Sequence, residues 1–395
     1  MPDLSRRRLL TGSVAIGCSA AASPLLTPVT LASAPGENRL VVIVLRGAMD
    51  GLDVVQPLGD AALTGLRPGF DIGEAGGAQD LDGYFALHGE AADLMPLWRA
   101  GELSFAHAVS TPYRDKRSHF DGQDLLENGG GDATGTLTEG RDGWLNRMLT
   151  LVPGTRSDTA IAVGRSQPLI LSGSAPAGSW SPETDLDLSA QAELLLADLY
   201  ASDPLFASAA ETAIALSAGR DVPGGMSPAK AGQATPLASF AAERLNEEAR
   251  IAAFSIGGWD SHRRQKTVIR RPLRELTAAL LTLKSELGRN WERTTVLAMT
   301  EFGRTARENG VAGTDHGTGG AMVMAGGALR GRRVHGDWPG LGEGDLYEDR
   351  DLRPTGDIRR YAAWTVRGLF GLERSEIERV VFPGVDLGSN PKILA

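Results

Sequence analysis

Six apolar runs punctuate the chain, at Leu40–Leu45, Leu103–Val109, Thr159–Val163, Ile251–Ile256, Thr294–Thr300 and Ala321–Ala325, and most are continuous rather than alternating. A strand covered on both faces has no solvent side for polar residues, so such runs predict strands of a mainly parallel sheet. Between them, apolar residues recur at helical spacing over Glu90–Ala100, His119–Glu127, Asp142–Leu151, Ala190–Tyr200, Leu205–Ala218, Ser239–Ala249, Arg274–Leu287 and Asp357–Leu369. Strand and helix in repeated alternation predict a three-layer, doubly wound α/β fold. No internal repeat is present, which argues against a solenoid or propeller. Gly219–Pro236 is rich in Gly, Pro, Ser and Ala and predicts either a linker between the two halves of the sheet or the edge of a helical insertion around residues 187–236, within one domain spanning 35–395.

The first 34 residues read differently. Ser5-Arg6-Arg7-Arg8-Leu9-Leu10 has a twin-arginine pattern, followed by a short apolar stretch from Val14 to Ala22 and small residues at Ala32-Ser33-Ala34. This predicts an export signal over 1–34, read by the twin-arginine export machinery, and a mature protein outside the cytoplasm. The stretch is too short to span a membrane, and no later one approaches about 20 apolar residues. Cys18 is the single cysteine, and Ala15 stands three positions before it where a lipid-anchor signal favours a bulky aliphatic residue.

Removal of that signal leaves no cysteine, so disulfides, thiolate ligands and cysteine nucleophiles are excluded from the mature chain. Its formal charge moves from −9 to about −11 as three arginines and Asp3 depart. An acidic body of this kind lacks the basic footprint of a nucleic-acid-binding protein.

Only six histidines occur, and two lie beside aspartates in glycine-rich turns: Gly257-Gly258-Trp259-Asp260-Ser261-His262 and Thr314-Asp315-His316-Gly317. Carboxylate and imidazole together suit a divalent cation, the oxygen favouring harder ions and the nitrogen favouring zinc or transition metals. Strand periodicity places further polar residues at carboxyl ends. The run at Leu40–Leu45 leads to Asp50 and Asp53, and the run at Thr294–Thr300 leads to Glu301 and Arg304. In a parallel sheet these ends share one edge, where α/β proteins carry their sites. The second run feeds Ser110-Thr111-Pro112-Tyr113-Arg114 and then Ser118-His119 at a helix start, with Lys116 and Arg117 nearby. Unpaired N–H groups and cationic side chains there suit an esterified phosphate or sulfate. Ser118 with Asp121 also reads as a helix cap.

The succession Leu-Arg-Gly-Ala-Met-Asp-Gly at 45–51, Pro-Tyr-Arg at 112–114, Ser-His-Phe-Asp at 118–121, Gly-Gly-Trp-Asp-Ser-His at 257–262, Glu-Phe-Gly-Arg-Thr at 301–305, Thr-Asp-His-Gly at 314–317 and Gly-Asp-Trp-Pro-Gly at 336–340 resembles the DUF1501 family. The resemblance covers nearly the whole mature chain. It implies an alkaline-phosphatase-like fold and a place near the alkaline phosphatase and sulfatase superfamily, whose plan is a two-metal hydrolase. Asp50 then matches the first-strand aspartate, and Asp260 with His262 matches the middle pair. The final acid is either Asp315 beside His316, or Glu301 with His316 supplying the histidine. The nucleophile of that plan falls in the region of Ser110, Thr111 and Ser118; Thr111 and Ser118 are the candidates, and a metal-activated water requires neither.

These readings lead to one expectation: an exported hydrolase of phosphate or sulfate esters, acting on a small molecule or glycan. Asp50, Asp260, His262, Glu301, Asp315 and His316 hold one or two divalent ions (Zn, Mn, Mg or Ca). Arg304 and Arg114 steady the transferring group, and His119 serves as ligand or leaving-group acid. The alternative is a non-catalytic exported binding or assembly protein that keeps the fold and a structural metal.

Overall fold

The computed structural model describes residues 36–114, 116–131, 142–164, 168–180 and 234–395. The expected export signal, the helices expected over Ala190–Tyr200 and Leu205–Ala218, and the expected insertion as far as residue 233 lie outside the described residues. Residues 234–236, the end of the segment expected to be a linker, form the first turn of a helix.

Among the described residues, nine strands build the main sheet: β1 (Arg39–Leu45), β2 (Leu103–Ser110), β3 (Ala160–Val163), β4 (Gly178–Trp180), β5 (Ile251–Ile256), β6 (Thr294–Thr300), β7 (Gly320–Ala325), β8 (Val334–His335) and β9 (Gly356–Asp357). Their order is β8-β2-β7-β6-β1-β5-β3-β4, with β9 also pairing to β2. β1 is central, and its pairing with β5 and β6 is parallel and in level register, Leu45 facing both Ile256 and Thr300. Every pairing in the main sheet is parallel except those of β7, which runs against both β2 and β6. The mainly parallel α/β sheet expected from continuous apolar runs is therefore the sheet observed. The short edge strands carry no periodic pattern to announce them, and a small three-stranded sheet of two-residue strands escaped the same reading.

The helices that cover this sheet are α1 (Gly51–Val54), α2 (Met95–Ala100), α3 (His119–Asn128), α4 (Trp144–Leu151), α5 (Ala234–Asn246), α6 (Gln265–Val268), α7 (Arg270–Leu287) and α8 (Ile358–Phe370). The helix expected over Glu90–Ala100 is divided. Gly89–Leu94 is a 3-10 turn, and α2 begins at Met95 with Pro96 in its first turn, where a missing N–H costs nothing.

Alternate residues of β1 explain the three layers. Val41, Ile43 and Leu45 pack with α2, α5 and α7 on one face, whereas Leu40, Val42 and Val44 pack with α3, α4 and α8 on the other. All six are essentially inaccessible to water, each contributing on the order of 2 kcal/mol by burial. Such a doubly buried strand is stable only at the centre of a sandwich. The carboxyl ends of β1, β2, β5 and β6 consequently lie along one edge. Because β7 returns antiparallel, the whole 301–319 connection stays at that edge too.

Candidate metal centre

Two excursions deliver most of the polar side chains. Beyond β5 the loop is pinned by Trp259, which is buried and donates its indole N–H to the Ile256 carbonyl at 3.1 Å. The β1 loop presses against it at Gly47, whose φ is +116° and where a Cβ would stand 2.6 Å from the Asp260 amide nitrogen. Only glycine fits there. Beyond β6 the chain folds back on itself. Gly303 N–H donates to Thr318 O (3.0 Å), Thr305 N–H to Asp315 O (2.9 Å) and Gly317 N–H to Gly303 O (2.9 Å). This brings His316 alongside Arg304.

Three imidazoles and one carboxylate meet at this edge. His119 Nδ1 donates to Glu301 Oε1 at 2.8 Å, His262 Nδ1 to Asp315 Oδ1 at 2.9 Å, and His316 Nδ1 to the Arg117 carbonyl at 2.8 Å. Acceptor-only partners assign all three tautomers and leave the three Nε2 atoms as the remaining donors to a ligand. The Nε2 atoms gather round Asp260: His262 at 3.2 Å and His316 at 3.5 Å from Oδ1, His119 at 3.6 Å from Oδ2. His119, Asp260 and His316 offer donor atoms lying within 4.8 Å of one another. His262 Nε2 stands 3.0 Å from His316 Nε2. Ligands at about 2.1 Å from a tetrahedral zinc stand roughly 3.4 Å apart, which the distances of His316 and His119 to Asp260 match, whereas His262 adjoins that group of three without being part of it. The His119 Nε2 atom is buried without a hydrogen-bond partner, and 3.6 Å to Asp260 is too long to count as one. This donor set fits a metal ion.

The rings are walled by Phe302, which stacks on His119 with centroids 5.3 Å apart and on Tyr113 at 5.9 Å. Charge is arranged to match. Burial works to raise the Asp260 carboxyl, but His119, His316 and the buried Arg304 guanidinium outweigh it and hold it far below the usual carboxylate range. Burial likewise opposes ionisation of Glu301, and hydrogen bonds from His119, Gln123 and the Gly47 amide overcome it. Asp315 is lowered in the same way, His262 and Asn309 prevailing over burial. Asp260 first and Glu301 second raise the His119 imidazole to about 9. A field that retains a proton so firmly also attracts a cation.

The expected site residues thus fall into groups. Asp260, His262, His316 and His119 are brought together. Glu301, wholly buried, and Asp315 stand behind imidazoles rather than among the converging atoms. Asp50 is not in the cluster: its carboxylate caps α1 through the Leu52 and Asp53 amides, pairs with Arg67 Nη1 at 2.9 Å and accepts from Gln265 at 2.6 Å. Arg304 donates to Asp260 Oδ1 at 2.9 Å and to Thr314. Thr111 is buried, its hydroxyl accepting from the Tyr113 amide at 3.3 Å. Ser118 caps α3, accepting from Asp121 N–H at 3.4 Å. Arg114 Nη1 donates to Ser110 Oγ and to the Thr111 and Tyr113 carbonyls. Sequence reasoning missed Arg67, Gln123, Gln265 and Phe302. Phe302 and Gln265 lay within reach as neighbours of the candidate acids, but nothing local distinguishes Arg67.

A family model described as "Protein of unknown function (DUF1501)" matches residues 78–381. None of the curated proteins matches the sequence significantly. Among solved structures, the chain is similar to a protein in the alkaline phosphatase superfamily from Vibrio parahaemolyticus, with 11% identity and a TM-score of 0.38 over 85% of this chain and 67% of that one. It is similar to the lipoteichoic acid synthase LtaP from Listeria monocytogenes, with 8% identity and a TM-score of 0.40 over 91% and 75%. It is also similar to the zinc-complexed C-terminal periplasmic domain of EcEptC from Escherichia coli, with 9% identity and a TM-score of 0.37 over 92% and 93%. At such scores the fold class rests on the sheet order of this chain itself. No helix among the described residues is long and apolar enough to cross a membrane.

Proposed function

We propose that this chain, which belongs to the DUF1501 family, is an exported metal-dependent hydrolase of phosphate or sulfate esters carried on a small molecule or glycan. The observation that carries the reading is the convergence of three Nε2 atoms on Asp260, each ring held from behind by a fixed acceptor. His119, Asp260, His262 and His316 would hold one or two divalent ions, with nitrogen-rich donors favouring zinc. Bound there, such an ion would supply Lewis acidity toward an ester oxygen and lower the pKa of a water.

The residues of the chain do the rest. Glu301 and Asp315 orient His119 and His262, the outer layer that sets ring direction in histidine metal sites. Arg304 steadies Asp260 from the protein side. A water nucleophile suits this site better than Thr111 or Ser118, because the first hydroxyl is buried and the second caps a helix. Asp50 enters as an anchor to the first strand. Twin-arginine export of an already folded protein accords with a metal that must be inserted before the chain meets competing ions.

The same two hydroxyls favour the second reading, a binding or assembly protein with a structural metal. One experiment separates them. Protein folded in the cytoplasm is analysed for metal, then assayed against aryl phosphate, phosphodiester and aryl sulfate with added Zn, Mn, Mg or Ca. Turnover that requires metal and disappears in Asp260→Asn establishes the hydrolase. Metal that raises the melting temperature without turnover of any ester establishes the binding protein. A wild-type protein that acquires no divalent ion refutes both.

A further inference from the structure

We infer that Gln265 is a positioning residue that links the buried aspartates Asp50 and Asp53 to the metal-binding carboxylate of Asp260, by way of Thr314 and Arg304. The inference rests on the metal centre proposed above.

Gln265 opens α6 and is completely buried. Its Nε2 donates to Asp50 Oδ2 at 2.6 Å and Asp53 Oδ2 at 2.8 Å. Its Oε1 accepts from Ser261 Oγ at 2.8 Å and Thr314 Oγ1 at 2.5 Å. Two donor and two acceptor positions are filled, which is all that a primary amide offers. The partners also settle its orientation: turned over, the amide oxygen would face two carboxylates. An amide so held directs the Thr314 hydroxyl proton toward itself and leaves that oxygen as an acceptor for Arg304 Nε at 3.2 Å. The Thr314 carbonyl takes Arg304 Nη2 at 2.8 Å. A planar guanidinium gripped along one edge has a single orientation, and its remaining Nη1 meets Asp260 Oδ1 at 2.9 Å.

Asp260 needs this support. It sits on a loop with its side chain 45% exposed, and Arg304, which is itself inaccessible, is its cationic partner on the protein side. Rotation of the Asp260 carboxylate would move Oδ1 away from both His262 and His316. Gln265 therefore ties three loops together: Asp50 and Asp53 after β1, Ser261 in the loop of Asp260 itself, and Thr314 in the β6–β7 connection. A glutamine used only for packing would not need four polar partners in three separate segments.

The test uses Co(II) as the probe on the full chain, reading its dissociation constant and visible absorption. Gln265→Leu and Thr314→Val break the chain of hydrogen bonds at different links, so that if one fails to fold the other still decides. Each is expected to weaken Co(II) binding about 10- to 100-fold and to alter the spectrum. The double variant should be no weaker than the poorer single one, because the two links act in series. Thr314→Ser, which keeps the hydroxyl, should restore wild-type binding. A folded Gln265→Leu or Thr314→Val with wild-type affinity and spectrum, alongside an Asp260→Asn that loses Co(II), overturns the inference and leaves the metal centre standing. Wild-type binding by Asp260→Asn overturns the metal centre and the inference with it.

Discussion

The Nε2 atoms of His262 and His316 face each other at 3.0 Å while both rings commit their Nδ1–H groups elsewhere, to Asp315 Oδ1 and to the Arg117 carbonyl. In the neutral tautomers those partners demand, two nitrogen lone pairs would point at one another. A positive charge beside them would remove the repulsion, and a divalent ion held by these residues would do so without dismantling either Nδ1 hydrogen bond. With His119 on the other carboxylate oxygen, three of the six histidines in the chain gather at Asp260.

The carboxylates behind the rings should accordingly matter to affinity without being ligands. Glu301→Gln and Asp315→Ala are each expected to weaken zinc binding by about 10- to 100-fold, measured by competition with a chromophoric chelator. Complete loss of binding in Glu301→Gln would instead make Glu301 a ligand. Unchanged affinity in both variants would show that packing orients the rings, His119 against Phe302 and His262 against His316.

The Asp50–Arg67 pair is fully buried at 2.9 Å, so removing one partner strands the other charge. Asp50→Asn and Arg67→Met should each cost on the order of 3–5 kcal/mol in urea denaturation. The double variant should cost clearly less than their sum. Folded Asp50→Asn should keep a measurable metal affinity, since its role is that of an anchor. Abolished binding in a stably folded Asp50→Asn would place Asp50 in the coordination sphere.

Stability should also fall on mild acidification. His107 in β2 is buried, with Nε2 against the Gly51 and Val55 carbonyls at 3.2 and 2.9 Å and Nδ1 accepting from the Ala108 amide, and burial pushes it down to about 4. The folded value lies below the unfolded one, so the unfolded chain takes up the proton first. The stabilisation is fully present above about pH 6.5 and is lost as pH falls toward 4, amounting to at most about 3 kcal/mol. Chelator-treated wild type should melt at lower temperature at pH 5 than at pH 7. His107→Gln should lose a large part of that difference, while His335, lowered to about 4 by burial and Arg333, keeps the remainder. An unchanged pH dependence in His107→Gln would show that other groups carry it.

Much of the architecture was legible in the chain because burial on both faces leaves a local trace. The six apolar runs became six strands of the sheet, with ends displaced by no more than a residue, and the parallel pairing of β1, β5 and β6 with the antiparallel return of β7 placed Asp260, Glu301 and His316 at one edge. The residue types of the site were legible as well, since histidine beside aspartate in a glycine-rich turn is rare in a chain with six histidines. What each acid does was decided only by the fold. Asp50, Glu301 and Asp315 look alike in sequence, each an acid soon after a strand or turn. Arg67 and Gln265 claim the first, His119 the second and His262 the third, all through partners 17 to 215 residues distant in the chain. Whether a carboxylate faces the imidazole cluster, backs a ring or anchors a helix depends on which donor reaches it first, and that depends on loops from separate strands meeting across one edge of the sheet.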